Sequence, residues 1–495
     1  MTKNFYKWAL ALLLIAAVGC GDDNEIKDGI IEPTNEFAEV NDFVWSGLNL
    51  WYLWQENVPN LADDRFASQQ EYNDYLQVSP QPEVFFESLL YDPNNVDVFS
   101  WIVDDYSDLE GFLTQTSRSN GVDFQLVRFS STSNEVFGYV KLILPDSDAS
   151  DKIIKRGDLF TEVDGTPLTI ENYRDLLFTG SDTYTLTLAT IEGNTITQTG
   201  EFVELTKFDY VEKNIHTTNI IEEAGKKIGY MHYTFFSRAS ENQLNDAFLE
   251  FKNGNVTNLV LDLRYNPGGF GFVSQRLASL ITGQFKGEVF TRDQYNNKIQ
   301  EVYEEAGEEY YLDRFVDKTS EGTSLNSLNL SEIHIITTDA SASACESLII
   351  GLNPYIDVTL VGDLTYGKYT GSITMYDSKT YRKQDVNPNH KYAMQPIVTK
   401  FVNSIGESPQ GGLDPDLFIL EDIANMGVIG DRNEPLLSVA INDIVGVSAK
   451  EDFYKIRAYE KVSDYRTKDK YNLPLILDSS KFLEVFNKMK SQKQN

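Results

Sequence analysis

The chain has 495 residues, of which 41% are hydrophobic and 12% aromatic. That is enough apolar material for about two to four packed domains, and it excludes a wholly disordered protein. Lysine and arginine number 42 against 75 aspartate and glutamate residues, which gives a net charge of -33. Because so acidic a surface repels nucleic acid and anionic lipid headgroups, we expect neither as a direct partner.

Residues 1–19 are typical of an export signal. Lys3 and Lys7 precede an apolar run, WALALLLIAAV, that is too short to span a bilayer comfortably. The stretch AVGC then resembles a bacterial lipobox, which implies cleavage before Cys20 and attachment of lipid to that cysteine; an ordinary secretory signal is the alternative. Residues 20–37 are polar and acidic and predict a tether. We therefore expect a protein of the bacterial cell envelope, lipid-anchored at the outer membrane and either periplasmic or surface-exposed.

Three regions with different patterns follow the tether. Residues 38–117 have apolar side chains at helical spacing and predict a small helical domain. Residues 118–205 contain short strands separated by turn residues and predict a β-rich domain. In residues 206–445 buried strands alternate with helices, which indicates an α/β sheet, whereas residues 446–495 are basic and aromatic and receive no assigned role. The predicted fold class is therefore α/β with several domains.

Three predicted strands of the α/β region end in RYNPGGFG, TTDASAS and GDLTYGK, and such strand ends meet at one edge of a sheet. Ser343 would begin a helix whose N–H groups stabilise a developing oxyanion. Lys368, in the third loop, can act as a general base only if burial lowers its pKa from about 10.4. We expect Leu364 and Tyr366 to contribute to that burial.

Two other chemistries have weaker support. GDLTYGK approximates a phosphate-binding loop, but Tyr369 stands where a serine or threonine is required, and a strand-like YTGSITMY follows. The four histidines are scattered and form no metal-binding motif, and nothing points to a Ser-His-Asp triad. We predict no metal and no cofactor, and NTP binding remains a minor alternative.

The three loops together resemble motifs of the tail-specific, or C-terminal processing, serine peptidases. LVLDLRYNPGG (259–269), SASACE (341–346) and VGDLTYGK (361–368) stand in the order and spacing of that family, with Cys345 in place of its usual third serine. The resemblance covers roughly residues 40–445. It implies a catalytic domain of the ClpP/crotonase-like type and a serine peptidase activity.

Each catalytic role follows from the same resemblance. Ser343 is the implied nucleophile and Lys368, 25 residues later, the implied general base. The implied oxyanion hole consists of the backbone N–H of Ala344 with that of Gly268 or Gly269.

One position departs from the family pattern. The family often has a glutamine four residues after the lysine to orient it, and Ser372 stands there in this chain. Ser372 is therefore the candidate to orient Lys368 through its hydroxyl. The departure keeps a second function open, a catalytically weak or inactive peptide-binding surface lipoprotein of the same fold.

Residues 118–205 resemble the PDZ domain of the family. The stretch GVDF (Gly121, Val122, Asp123 and Phe124) would be its carboxylate-binding loop, whose N–H groups hold a peptide C-terminus while the peptide adds a strand. The implied function is a serine endopeptidase acting on protein substrates with an accessible C-terminal tail.

Other residues of the three loops are expected to be structural. Asp262 and Arg264 lie in a buried strand, where two charges are tolerated only as a pair. Ser341 is predicted to cap the helix that follows, and Ser347 lies one turn further along it. Cys345 is predicted to be a buried small hydrophobic residue.

Overall fold

A computed structural model describes residues 37–79, 81–193, 195–447, 460–462 and 475–477. The predicted signal, nearly all of the tether and the lipidation site Cys20 lie outside the described residues, as does most of 446–495. Among the helices of the described part, none is both long enough and apolar enough to cross a membrane.

The region predicted to be helical forms short helices around one strand. Its elements are Ala38–Trp51 (α1), Gln69–Leu76 (α2), Pro82–Ser88 (α3), Trp101–Val103 (β1) and Tyr106–Leu113 (α4). On α1, Val44, Leu48 and Trp51 are buried at helical spacing. Their hydrophobic core also contains Ile299 and Met375 of the α/β region. The helical segment therefore shares a core with the α/β domain, because helices this short bury too little surface alone.

The β-rich domain follows. Its strands are Thr116–Ser119 (β2), Val122–Arg128 (β3), Val136–Ile143 (β4), Leu159–Val163 (β5), Thr166–Pro167 (β6), Thr183–Glu192 (β7), Thr195–Thr206 (β8) and Phe208–Val211 (β9). An antiparallel sheet has the order β3-β4-β5-β7-β8, so β3 lies at its edge. The stretch TIENYRDLLF, between β6 and β7, contains a π-helical turn, Asp175–Thr179.

The α/β domain contains two six-stranded sheets and shares a third, smaller sheet with the helical segment. Its strands are Ile215–Glu223 (β10), Lys226–Tyr233 (β11), Asn258–Asp262 (β12), Gly269–Phe270 (β13), Val289–Tyr295 (β14), Leu312–Arg314 (β15), Glu332–Thr337 (β16), Asp357–Gly362 (β17), Thr370–Ser372 (β18), Met375–Tyr376 (β19), Ala393–Gln395 (β20), Ile397–Asn403 (β21), Leu417–Phe418 (β22) and Leu475–Ile476 (β23). One sheet has the order β10-β11-β12-β16-β17-β22, parallel from β11 onward. The other has the order β13-β23-β18-β21-β14-β15. In the third, smaller sheet, β19 and β20 join β1 of the helical segment.

Helices cover both faces of the parallel sheet. Glu241–Asn253 (α5) and Gly271–Thr282 (α6) cover one face, while Asn297–Ala306 (α7) packs with β14 and α1 instead. Ala344–Leu352 (α8) lies on the same face as α5 and α6, and Pro435–Ile444 (α9) covers the other. Leu259 and Leu261 of β12 belong to the core formed with α5, α6 and α8, whereas Val260 between them packs with α9. This alternation explains why β12 is a continuous apolar run, since a strand covered on both faces has no polar side.

A buried network of charges fixes the end of β12. The Arg264 side chain is fully buried and donates to Asp262 at 2.9 Å and to both carboxylate oxygens of Glu434 at 2.8 and 2.9 Å. Glu421 accepts from Arg264 at 3.1 Å and also pairs with Arg156 of the β-rich domain. The predicted pairing of Asp262 with Arg264 is confirmed, and the network joins α9 and the β-rich domain to the loop after β12.

Arg264→Ala is expected to lower the free energy of unfolding by about 3–5 kcal/mol, because it leaves buried carboxylates without their partner. Urea unfolding measures the change. Arg118 is a matched control, since its ion pairs with Asp182 and Asp209 are more than half exposed and its replacement by alanine should change the stability far less. Equal losses for the two variants would contradict the assigned importance of the buried network.

Candidate active site

The three predicted loops converge at the carboxyl edge of the parallel sheet. β12, β16 and β17 are adjacent and parallel, so the loops that follow them lie side by side. Ser343 precedes α8 at its N-cap position, after β16, and Lys368 lies between β17 and β18. Residues more than 70 positions apart are thus brought together by parallel pairing, as the sequence pattern predicted.

Ser343 has a backbone conformation that serine rarely adopts. Its φ is 61° and its ψ is -105°, values that a side chain disfavours. The residue is fully buried, and its Oγ has no hydrogen-bond partner among the described residues. Such strain persists only where surrounding contacts impose it, and it concentrates at functional sites.

Gly268 lies directly against the Ser343–Ala344 peptide. A Cβ added to Gly268 would come within 2.8 Å of Ser343 Cβ and 3.0 Å of the Ala344 nitrogen. Its φ of 110° also favours glycine. Only glycine at this position lets the first loop approach the start of α8 so closely.

The predicted oxyanion donors differ in their present contacts. The Gly268 N–H donates to the side-chain oxygen of Asn266 at 2.9 Å. Gly268 O and the Phe270 N–H both bond to Phe236, so the intervening Gly269 N–H faces the opposite side of the strand. The Ala344 N–H lies in the first turn of α8, where no earlier turn supplies a carbonyl. Ala344 therefore provides the donor best placed next to Ser343.

Lys368 is buried, with 1% of its surface exposed. Burial lowers the pKa of its ammonium group to about 7. Its Nζ lies 4.5 Å from the centre of the Phe99 ring, which comes from the helical segment. Leu364 and Tyr366, which were expected to contribute to this burial, are themselves 39% and 54% exposed. The Tyr366 ring lies 6.1 Å from the Phe99 ring.

Glu346 connects the serine loop to the lysine loop. Its buried carboxylate accepts from the N–H of Ser343 at 2.8 Å and from the N–H of Lys368 at 2.9 Å. It also accepts from the Thr365 hydroxyl and the Gly367 N–H, both at 2.6 Å. Burial raises the pKa of Glu346 to about 7, although these four donors favour its ionised form. In the sequence Glu346 stands in the SASACE motif, and nothing in that motif reveals its contact with the lysine loop.

A second carboxylate near Lys368 was missed by the sequence analysis. Asp97 is 1% exposed and accepts the Tyr52 hydroxyl at 2.6 Å and the Ser100 N–H at 2.9 Å. Its charge favours the ammonium form of Lys368, against the effect of burial. No sequence signal links Asp97 and Phe99 to a lysine some 270 residues away; only the shared core does so.

No hydrogen bond joins the two residues proposed as the catalytic pair. Since Ser343 Oγ has no hydrogen-bond partner among the described residues, it makes no such bond to Lys368. Catalytic hydrogen bonds are often long in unliganded enzymes and shorten when substrate binds. Ser372, the candidate to orient the lysine, is fully buried and accepts a hydrogen bond from Gln395 Nε2 at 3.2 Å. A glutamine side chain therefore does lie beside Ser372, but it comes from β20.

Ser341 and Cys345 were both predicted to have structural roles. The prediction that Ser341 caps α8 is wrong: Ser343 occupies the cap position, and the Ser341 hydroxyl instead donates to Leu263 O at 2.8 Å. Cys345 is fully buried, as predicted, with its thiol 3.2 Å from Asn266 O.

The phosphate-loop alternative fails on local structure. Strand β18 follows Lys368 where a phosphate loop needs a helix, and the N–H groups of Gly367 and Lys368 bind Glu346. His334 lies 2.8 Å from Asp443, and His232 contacts Arg264 O at 3.4 Å. Neither histidine bonds to Ser343 Oγ.

The loop predicted to bind a carboxylate precedes and enters β3. Gly121 has a φ of 90°, and its N–H donates to Ser119 Oγ at 3.0 Å. The Val122 N–H donates to Asn120 Oδ1 at 3.1 Å, and the Asp123 side chain pairs with Lys141 at 3.3 Å. Phe124 is buried in the domain core. Two of these N–H groups are therefore engaged by neighbouring side chains in this structure.

Comparison with known proteins assigns two regions of the chain to one protein family. The profile of peptidase family S41 matches residues 227–418, and that of the peptidase S41 N-terminal domain matches residues 39–101. Together they cover just over half of the chain, including all three loops. The chain therefore belongs to peptidase family S41, and its α/β domain is a serine-type peptidase domain.

Individual relatives are distant. The chain is 28% identical over 149 residues to the carboxy-terminal processing protease CtpA of Bacillus subtilis, covering 30% of this chain and 28% of that protein. A Staphylococcus aureus protein assigned as a CtpA-like serine protease is 24% identical over 199 residues, covering 38% of this chain and 36% of the relative. The chain thus matches about a third of the length of these curated relatives.

A solved structure matches over most of the chain. The crystal structure of a Bacteroides fragilis protein assigned to the S41 proteases superposes with a TM-score of 0.65 at 25% identity. The match covers 82% of this chain and 98% of that one. It extends the likeness beyond the α/β domain.

Proposed function

We propose that this protein is a serine endopeptidase that uses Ser343 as nucleophile and Lys368 as general base. The observation that carries the proposal is the lysine itself: it is buried beside an aromatic ring, and burial lowers its pKa to about 7. A solvated lysine is protonated at neutral pH and cannot accept a proton, whereas this one can. Glu346 holds its loop against the backbone of Ser343.

The chemical steps follow from these positions. Ser343 Oγ attacks the carbonyl carbon of the scissile peptide bond while Lys368 Nζ accepts the hydroxyl proton. The N–H of Ala344, with that of Gly268 or Gly269, stabilises the oxyanion. Lys368 then donates its proton to the leaving amine, and an ester to Ser343 remains. Water, deprotonated by Lys368, hydrolyses the ester and restores the serine.

Substrate recognition is the second part of the proposal. β3 is an edge strand that begins at the glycine turn of Gly121, the arrangement in which a PDZ domain holds a peptide tail. We infer that protein substrates with an accessible C-terminal tail bind there before cleavage. The lipidation of Cys20 and attachment to the bacterial outer membrane belong to the same proposal and rest on the AVGC stretch.

The test is hydrolysis of a folded reporter carrying an unstructured C-terminal tail. Wild-type protein should cleave it, Ser343→Ala should not, and an amidated tail should be cleaved more slowly than a tail with a free carboxylate. A fluorophosphonate probe should label wild-type protein but not Ser343→Ala. Tight tail binding without cleavage or labelling would instead support the peptide-binding alternative, which rests on Ser372 at the position where the family often has glutamine.

A further inference from the structure

Residues 460–462, here called the edge segment, add a strand to the β-rich domain. The Val462 N–H donates to Leu126 O at 2.9 Å, and the Arg128 N–H donates to Glu460 O at 3.0 Å. Lys461 pairs antiparallel with Val127 of β3. The edge segment therefore runs toward the Gly121 turn, in the direction that a tail held at that turn would take.

Side chains also anchor the edge segment. Val462 is 7% exposed and packs in the core of the β-rich domain, and Gln125 Nε2 donates to Val462 O at 2.9 Å. Lys461 forms an ion pair with Asp339, which lies four residues before Ser343 in the same loop. The edge segment thus links the proposed tail-binding strand to the nucleophile loop.

Residues 475–477, here called the cleft strand, lie between β13, which follows the glycine loop, and β18, which follows the lysine loop. Leu475 and Ile476 pair in parallel with Gly269 and Phe270 on one side. On the other side they pair in parallel with β18, and the Leu477 N–H donates to Ser372 O at 3.1 Å. The Ile476 side chain is 3% exposed and belongs to the main core of the α/β domain.

The cleft strand pairs with β13 on the side toward which the Gly269 N–H faces, and it pairs with β18, which begins two residues after Lys368. With it in place, Ser343 and Lys368 are 0% and 1% exposed. A cavity of about 480 Å³ beside Leu477 is lined by Phe272, Ser347 and Phe401, yet neither Ser343 nor Lys368 lines it.

We propose that residues 460–462 and 475–477 are a built-in ligand of this peptidase, which occupies its tail-binding edge and its catalytic cleft and which a protein substrate must displace. The inference rests on the proposed function and extends it. It assigns the binding mode of the substrate: an apolar stretch enters as a parallel strand between β13 and β18. Because the ligand belongs to the same chain, it competes at an effective concentration in the millimolar range.

The first test releases the cleft strand in the full-length chain. Ile476→Asp places a charge in an apolar core and should raise the rate of Ser343 labelling by a fluorophosphonate probe by about tenfold or more, since an intramolecular competitor at millimolar effective concentration is lost. Val428→Asp, the same kind of change at a side chain that is 68% exposed, is the matched control and should label at the wild-type rate. Equal labelling of Ile476→Asp and wild-type protein would overturn the proposal.

A peptide added in trans gives a second measurement. The 15-residue peptide RTKDKYNLPLILDSS, residues 466–480, should inhibit Ile476→Asp, whereas the same peptide with aspartate in place of Ile476 should not. Inhibition by both peptides, or by neither, would count against specific occupation of the cleft by this sequence.

Hydrogen exchange in the unaltered protein keeps the proposal testable if Ile476→Asp does not fold. The amide of Leu477 should exchange more slowly than in the free peptide and faster when that peptide is added in excess. Exchange at the rate of the free peptide would overturn the proposal. Slow exchange without any Ser343 labelling, in wild-type protein or variant, would refute the peptidase function while supporting occupation of the cleft.

Discussion

Replacing Lys368 by methionine is expected to lower kcat/KM for peptide hydrolysis by about 10²–10⁴-fold, the usual contribution of a general base. Methionine fills a similar volume but accepts no proton from Ser343. Lys368→Arg should be equally impaired, because a guanidinium group keeps its proton at any accessible pH. A quenched fluorescent peptide measures all three proteins, and Lys213→Met, a change at a lysine that is 58% exposed, is the control.

The pH dependence follows from the same lysine. Its pKa is lowered to about 7 in the folded chain, so the active neutral form grows, and kcat/KM rises, as pH increases through about 7. At pH values between about 7 and the ordinary pKa of 10.5, Lys368 carries a proton in the unfolded chain but not in the folded chain. Stability contributed by this site therefore increases with pH across that window.

Lys368→Met removes the cost of burying a charge and should not destabilise the protein at neutral pH. Activity would then fall while the midpoint of urea unfolding stays constant or rises. Wild-type activity in Lys368→Met, or a wild-type profile that does not change near pH 7, would contradict the assigned general base.

Glu346→Ala is expected to lower kcat/KM by about 10²-fold or more, because small displacements of catalytic groups are costly. It removes the acceptor shared by the backbone of Ser343 and the backbone of Lys368. It should also reduce stability by about 1–3 kcal/mol for each buried donor left without a partner. Steady-state kinetics and urea unfolding measure the two effects, and Glu171→Ala, at an exposed carboxylate, is the control.

Glu346→Gln separates an electrostatic role from a structural one. The amide keeps the size of the side chain and one acceptor oxygen but removes the charge that favours protonated Lys368. The pKa of Lys368 should fall further, so the rising limb of the kcat/KM profile should move to lower pH. A variant with reduced activity and an unshifted limb would indicate that Glu346 acts on loop geometry alone.

The parallel sheet and its three loops could be predicted, because the burial of each strand is visible in the apolar pattern of its own residues. β12 is apolar throughout since helices cover both of its faces. Gly268 was named through the family resemblance, whereas its close approach to Ser343 Cβ became evident only in the fold. The contact that was not predicted came from a distant segment, since Phe99 of the helical segment covers Lys368.

The fold class, the family resemblance and the two residues proposed for catalysis can be read from the chain alone, because motif order and strand periodicity are properties of the amino-acid sequence. The surroundings of these residues depend on how the chain folds. The tertiary structure places Asp97 near Lys368, Glu346 between the two loops, and residues 475–477 in the cleft. These contacts arise from packing between segments that are far apart in the sequence, in some cases by more than two hundred residues. Desolvation sets the pKa of Lys368, and desolvation depends on that packing.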